Sequence, residues 1–177
     1  DLAFDDAPVG AGIVATTAPA PAVRKPKVRR QSEPAAVVVP RITFGKLLNA
    51  GQTCIAPTRL IVQNEQKAAA EAFAARMFAG TTVGNPADEG AHIGPVVNKR
   101  QWDQIQGYIQ KGIDEGARLV AGGLGLPDGF NRGFYVKPTV FADVVPGMTI
   151  EREEIFGPVL SIIPFDSEED AVRIAND

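Results

Sequence analysis

The chain has 177 residues, which suits a single domain, and 45% of them are hydrophobic, enough for a sizeable buried core. Its formal net charge of −3 argues against a nucleic-acid partner, because such a partner favours a basic protein face. One cysteine leaves no disulfide framework, and no apolar run is long enough to cross a bilayer. We therefore expect a cytoplasmic protein with no membrane contact. The absence of an initiator Met and an end within a predicted helix lead us to expect a fragment.

The first 40 residues differ in composition from the rest of the chain. They contain six of the 14 prolines and show no sustained period of two or 3.6 residues. This pattern predicts an extended or disordered tail. The basic cluster at 24–30 is interpreted as a solvated linker, with a localisation signal or an anionic contact as alternatives. The valines at 37–39 are compatible with an edge strand that ends at Pro40.

Two predicted elements flank the loop at Gly51. Apolar residues between 42 and 48 indicate the end of a helix, and the run 59–62 indicates a short buried strand. The Ala-rich stretch 66–79 predicts a second helix that stops at Gly80. Its apolar face is predicted to hold three residues spaced four apart, Ala69, Phe73 and Met77.

The clearest helix is predicted over 98–116, where Asn98 is placed to cap the first turn and Gln101 occupies the capping-box position. Apolar residues recur along it at three- and four-residue steps: Trp102, Ile105, Ile109 and Ile113. The remaining predicted elements are strands at 118–121, 135–136, 139–141 and 159–165 and a last helix that begins at 167. Strands that alternate with helices predict an α/β fold, with a mostly parallel sheet flanked by helices.

Cys54 is the candidate nucleophile. It follows a loop containing Gly51, and Pro57 lies beyond it, an arrangement that can hold a thiol at a set angle before a strand. The residues alone leave a second interpretation open, a semi-buried structural cysteine, because cysteine also packs as a small hydrophobic residue. His92, the only histidine, is interpreted as a loop residue, and we predict no metal site because no second ligand of suitable type lies near it in sequence.

Two motifs resemble one family. Residues 44–54, FGKLLNAGQTC, resemble the active-site cysteine segment of NAD(P)-dependent aldehyde dehydrogenases, and residues 153–159, EEIFGPV, resemble a second signature of that family. Shorter segments between them resemble the same family in the same order: 84–86, 93–95, 115–117, 122–123 and 133–141. The resemblance covers residues 41–177 and implies part of a catalytic domain. The sequence of residues 45–49, GKLLN, resembles the branch of the family that acts on bulky aromatic aldehydes such as coniferyl aldehyde.

The resemblance implies a role for each candidate site residue. Cys54 would attack an aldehyde to give a thiohemiacetal and then a thioester, and its backbone N–H would form half of the oxyanion hole. Glu154 would accept hydrogen bonds from the nicotinamide ribose, Phe156 would lie against the nicotinamide end, and Gln101 would lie near the adenosine-side ribose. The implied cofactor is NAD or NADP, the implied partner is a small-molecule aldehyde, and the family forms homo-oligomers.

The sequence also departs from the family pattern. Relatives carry a general-base glutamate in a Glu-Leu-Gly-Gly-Lys motif upstream of the cysteine, and no such motif occurs here. The second oxyanion donor and the dinucleotide-binding domain are also expected upstream. We therefore predict a partial catalytic domain at 41–177, a disordered or foreign tail at 1–40, and weak or no turnover. Two alternatives stay open: a non-catalytic remnant that assembles with full-length relatives, and a thiol-reactive protein that acts without NAD.

Overall fold

The computed structural model describes residues 35–177, which lie within one unit of the chain, Ser32–Asp177. Its first element is a helix, α1 (Ala35–Leu47), with Pro40 inside it. The valines at 37–39 are therefore helical, so the edge strand considered for them is wrong. The Thr43 hydroxyl donates to the carbonyls of Val39 and Pro40 at 2.8 and 3.0 Å, which gives two carbonyls around the proline a hydrogen-bond partner. The rest of the predicted tail, 1–34, lies outside the described residues.

Helices and strands alternate along the described chain. After α1 come β1 (Arg59–Gln63), α2 (Lys67–Ala79), α3 (Lys99–Asp114), β2 (Arg118–Ala121), β3 (Thr139–Ala142), α4 (Thr149–Arg152), β4 (Val159–Phe165) and α5 (Glu168–Ala175). The predicted strand at 135–136 is wrong. The Trp102 indole N–H donates to the Tyr135 carbonyl at 2.8 Å, so this segment is attached to α3 instead of a sheet neighbour. The single turn α4 had no sequence signal strong enough to predict it.

The four strands form one sheet in the order β1-β4-β3-β2. β1, β4 and β3 run parallel, and only β2 is antiparallel to its neighbour. The sheet confirms the predicted α/β class with mostly parallel strands and flanking helices. All of β3 and the first five residues of β4 are buried, as expected for central strands with both faces covered.

Parallel pairing places the amino ends of β1 and β4 at the same end of the sheet. Arg59 is opposite Ser161 in register, and the Ser161 N–H donates to the Thr58 carbonyl at 3.0 Å, just before β1 begins. On the other side of β4, the Thr139 N–H donates to the Pro158 carbonyl at 2.8 Å. The motif at 44–54 leads into β1, and the motif at 153–159 leads into β4. Because β1 and β4 are parallel neighbours, both motifs lie at the same end of the sheet.

The core is formed by the sheet and the faces of α2 and α3. On α3, Ile105 and Ile109 are fully buried, as predicted from their spacing. On α2 the prediction is off by one residue, because the fully buried line is Ala70, Ala74 and Phe78, and Ala69 is exposed. Because alanines lie on most sides of α2, its faces differ little in hydrophobicity. Which face of the helix packs against the sheet is therefore decided by where a Phe ring can be accommodated.

A buried ion pair lies at the amino end of β1, beside the last turn of α5. The Glu151 side chain has no exposed surface and accepts from Arg59 at 2.8 Å, and Arg59 also donates to the carbonyls of Ile174 and Ala175. We expect Arg59→Met to lower the free energy of unfolding by about 3 kcal/mol, because it removes the nearest partner of a buried carboxylate and leaves Glu151 only the Gly147 N–H at 3.3 Å and Arg152 at 3.8 Å. Urea denaturation measures this change.

The matched control is Lys99→Met, which removes the exposed Lys99–Asp103 pair and should change stability by less than about 0.5 kcal/mol. Equal losses in the two variants would show that burial of Glu151 does not set the cost.

Candidate active site

The Cys54 loop begins with three consecutive residues in the left-handed region. Asn49 has φ 51°, Ala50 has φ 53° and Gly51 has φ 74°. Asparagine and glycine adopt this conformation readily, whereas alanine does so at a cost of about 1–2 kcal/mol. Ala50 is nevertheless buried, with 3% of its surface exposed. Strain of this kind persists only where the surroundings enforce it, and it is concentrated at functional sites.

Gln52 holds this loop through hydrogen bonds within the loop, to Asn49, and outside it, to Val97. Its side-chain amide donates to the Asn49 carbonyl at 3.1 Å, and the Asn49 amide donates to the Gln52 carbonyl at 3.0 Å. The Gln52 side-chain oxygen accepts from the Val97 N–H at 2.9 Å, just before α3. The polar residues of the motif therefore hold the loop closed and join it to α3. Beyond them, Cys54 lies in a turn with its side chain exposed to solvent.

Gly51 brings the two motifs into direct backbone contact. A Cβ added to Gly51 would overlap the carbonyl carbon and oxygen of Gly157 and lie 2.8 Å from the Pro158 nitrogen. Only a hydrogen fits at this point. The loop that leads to Cys54 therefore lies directly against the backbone of the segment that contains Glu154 and Phe156.

The segment before β4 presents its two candidate residues differently. Glu154 is exposed, and Phe156 is half-buried with φ 54°, a strained conformation for an aromatic residue. Ile155 between them is fully buried and anchors the segment. Gly157 lies against α3, where an added Cβ would be 2.6 Å from the Ile105 side chain. The carboxylate and the ring are thus carried on a backbone that is packed on both sides.

Gln101 holds this strained backbone in place. Its side-chain amide donates to the carbonyls of Ile155 and Phe156 at 3.2 and 3.0 Å. Asn98 caps α3 as predicted, by accepting from the Gln101 N–H at 2.9 Å. The reciprocal capping-box bond from the Gln101 side chain is replaced by the bonds to the β4 segment. A contact of Gln101 with the adenosine-side ribose stays a prediction.

Lys46 is the residue that the sequence prediction missed. It lies in the last turn of α1 with 1% of its surface exposed, and its ammonium donates to the Thr58 hydroxyl at 3.4 Å. Burial lowers the pKa of Lys46 to about 8, and the nearby Glu154 carboxylate acts in the opposite direction. A signal was present in the sequence, because Val39, Thr43 and Lys46 follow helical spacing on one buried face of α1.

The other candidates do not join this site. His92 lies in an exposed loop, where its Nδ1 accepts from the Thr82 N–H at 2.9 Å. Among residues 35–177, no group of three or more His, Cys, Asp and Glu side chains is arranged to hold a metal ion. Within the same range, no helix combines the length and the apolar character needed to span a membrane.

Comparison with known proteins identifies the family. The model of the aldehyde dehydrogenase family matches residues 34–177. The chain belongs to the aldehyde dehydrogenase family. This match confirms the family predicted from the two motifs, and it begins somewhat before residue 41. The chain is also 46% identical over 138 residues to a curated aldehyde dehydrogenase relative from Staphylococcus aureus, and it spans 29% of that relative's length.

Solved aldehyde dehydrogenases share the fold. The enzyme from Bartonella henselae is 54% identical with a TM-score of 0.76, over 78% of this chain and 29% of its own. The Mycobacterium tuberculosis enzyme, complexed with NAD+, is 48% identical with a TM-score of 0.77, and the match covers 81% of this chain and 29% of that enzyme. A third structure is a Cys→Ala variant of aldehyde dehydrogenase C from Pseudomonas syringae, in complex with NAD+ and octanal. It is 45% identical with a TM-score of 0.77, and the match covers 80% of this chain and 29% of that enzyme.

The Gly51 contact gives a prediction for the candidate site. Gly51→Ala should lower the free energy of unfolding by about 3 kcal/mol or more, because a left-handed φ and a backbone overlap act together. It should also change the rate at which iodoacetamide alkylates Cys54. Urea denaturation and a thiol-labelling time course measure the two effects.

Gly116→Ala is the matched control, since Gly116 has φ 91° but open space around its Cα. It should cost only about 1 kcal/mol and leave Cys54 labelling unchanged. A Gly51→Ala protein as stable as Gly116→Ala would show that the two backbones are not in contact.

Burial of Lys46 gives a prediction for the pH dependence of stability. The pKa of about 8 in the folded chain lies below the ordinary value of 10.5, so between these values the unfolded chain binds more protons. The free energy of unfolding should therefore rise from pH 8 to 10.5, by up to about 3 kcal/mol relative to Lys46→Met. Urea titrations of both proteins at several pH values measure the difference, from which other titrating groups cancel. A constant difference would contradict the prediction.

Proposed function

We propose that this chain carries the nucleophile and part of the cofactor site of an enzyme that oxidises an aldehyde to a carboxylic acid with NAD or NADP. The observation that carries the proposal is the backbone contact between Gly51 and Gly157. It joins the loop of an exposed cysteine to a segment that presents a carboxylate and an aromatic ring. A nucleophile beside groups suited to a nucleotide is the arrangement that a dehydrogenase with a covalent intermediate requires.

The proposed chemistry begins at Cys54. Its thiolate forms a C–S bond to the aldehyde carbon, and the carbonyl π electrons move to the oxygen. The backbone N–H of Cys54 donates to no acceptor among residues 35–177, so it is available to the oxyanion. Collapse of the oxyanion expels the hydride and leaves a thioester on Cys54. Water then adds to the thioester carbonyl and the C–S bond breaks, so a carboxylic acid is released and the Cys54 thiol is regenerated with a proton from the water.

The residues before β4 fit one end of a dinucleotide. Glu154 offers an exposed carboxylate, which can accept hydrogen bonds from the two ribose hydroxyls, and the half-buried Phe156 offers an apolar ring surface. When bound, the nicotinamide ring accepts the hydride. The proposal of NAD is supported by the Mycobacterium tuberculosis and Pseudomonas syringae relatives, whose structures contain NAD+. The octanal in the latter structure supports an aldehyde substrate.

The 177 residues alone are proposed to turn over slowly. The chain spans 29% of the relatives' length, and it contains no Glu-Leu-Gly-Gly-Lys motif to supply the general base that releases the acid. A positioned base contributes roughly 10²–10⁴-fold to such a step. Attack by Cys54 on a carbonyl carbon needs only the thiolate and an oxyanion donor, whereas thioester formation from an aldehyde also needs bound NAD or NADP as the hydride acceptor. Acylation by an activated acyl donor is therefore proposed to be the step that these residues retain.

An acyl donor tests the nucleophile directly. With p-nitrophenyl acetate, the Cys54 thiolate displaces p-nitrophenolate and becomes S-acetylated. We expect a burst of about one equivalent of p-nitrophenolate, faster than with N-acetylcysteine, followed by slow release, because the loop orients Cys54 and no general base follows. Absorbance measures the burst, and mass spectrometry locates the acetyl group.

Cys54→Ala is the control and should show neither the burst nor the acetyl adduct. Acylation no faster than that of N-acetylcysteine would contradict the nucleophilic role. Rapid reduction of NAD+ with a panel of aldehydes would instead contradict slow turnover, and fast release of acetate without NAD would favour a thiol-reactive protein.

A further inference from the structure

A cavity of about 430 Å³ lies between the last turn of α1, the last turn of α2 and the loop that contains His92. Small-molecule sites in proteins commonly have volumes of this size. Asn49, at the start of the Cys54 loop, lines the cavity, but neither Cys54 nor the segment before β4 belongs to its described lining. The cavity is therefore a separate space from the one in which the proposed reaction takes place.

The walls of this cavity are largely apolar. Leu47 and Ile93 belong to the buried core, and the partly buried Met77 packs against it. At the mouth of the cavity, Phe44 and Leu48 are four residues apart and expose 60% and 53% of their surfaces. Large apolar side chains that are exposed beside a cavity are stabilised when an apolar group covers them. The cavity therefore favours a ligand with an apolar body.

Two basic side chains line the same cavity. Arg76 lies in the last turn of α2, with its guanidinium carbon 5.4 Å from the centroid of the Phe73 ring. His92 accepts from the Thr82 N–H through Nδ1 at 2.9 Å, so the proton of the neutral ring is on Nε2. Neither Arg76 nor His92 takes part in an ion pair among residues 35–177. Their donor groups can therefore bind an external anion, and a carboxylate matches the planar guanidinium.

We propose that this cavity is a binding site for a monocarboxylate with an alkyl chain. The chain lies against Leu47, Met77 and Ile93, and the carboxylate accepts hydrogen bonds from Arg76 and His92. Burial of the chain supplies most of the affinity, and the basic pair selects an acid over a neutral molecule of the same length. The inference is independent of the proposed function, because it uses neither the nucleophile nor the residues before β4.

Octanoate is the probe that tests this site. Isothermal titration calorimetry of the whole chain, below the micelle concentration of the probe, should show saturable binding of one octanoate per chain. The affinity should rise up to about fourfold for each CH₂ added between hexanoate and decanoate, because each methylene leaves water. The neutral 1-octanol should bind about tenfold more weakly than octanoate, because it lacks the charge that strengthens the hydrogen bonds.

Substitutions at exposed positions separate the two parts of the site without disturbing the core. Arg76→Gln should weaken octanoate binding on the order of tenfold and leave 1-octanol binding unchanged, because it removes only the charged partner. Phe44→Ser, at the mouth, should weaken both ligands by the same factor, because it removes apolar surface. Arg132→Gln is the matched control, since Arg132 is exposed and does not line the cavity, and it should bind both ligands as the wild type does.

Alkylation of Cys54 distinguishes this cavity from the proposed active site. Protein treated with iodoacetamide should bind octanoate with unchanged affinity, because Cys54 does not line the cavity. Loss of binding after alkylation would place octanoate at the nucleophile and overturn the inference. Binding that does not saturate, or equal octanoate affinities of the wild type and Arg76→Gln, would overturn it as well. None of these measurements uses NAD or turnover, so failure of the proposed function would leave their expected results unchanged.

Discussion

The site depends on one backbone contact, in which the Cα of Gly51 lies against the peptide group between Gly157 and Pro158. No side chain fits between these backbones, so the distance between the two motifs is set by van der Waals contact of main-chain atoms. Such contacts have little freedom to relax, because interiors are packed at crystal-like density. The strained φ values of Ala50 and Phe156 flank this contact on its two sides. Local strain and long-range contact therefore enforce each other.

The location of the site in the sheet is unusual for an α/β protein. Ligands of open parallel sheets generally bind at the carboxyl ends of the strands. Here the motifs precede β1 and β4, so they lie at the amino ends, where α3 also begins. Gln52 reaches the residue before Asn98, and Gln101 reaches the segment before β4. The start of α3 thus acts as the common support for both segments.

The two buried charges of the described chain are accommodated in different ways. Glu151 is paired with Arg59 at 2.8 Å, the arrangement that makes a buried carboxylate tolerable and supports the architecture. Lys46 has only a long bond to a hydroxyl, and its pKa falls to about 8 as a result of burial. A charge that the structure leaves poorly compensated is more informative about function than one that it compensates fully, since packing alone would favour an apolar residue there.

The sequence by itself determined the family, the α/β class and the elements with strong patterns, such as β4 and the capped helix α3, because these follow from local periodicity and motif wording. It also named Cys54, Glu154 and Phe156 as candidate site residues, and their roles stay predictions. The sequence prediction failed where local signals were weak. The alanines of α2 do not define one apolar face. Residues 135–136 have the composition of a strand, but the Tyr135 carbonyl accepts from Trp102 of α3 instead of from a neighbouring strand. Only the tertiary structure decided that Gln101 supports the strained segment and that Lys46 is buried. Both depend on parallel pairing of strands that lie a hundred residues apart in the chain, and that contact has no local signature.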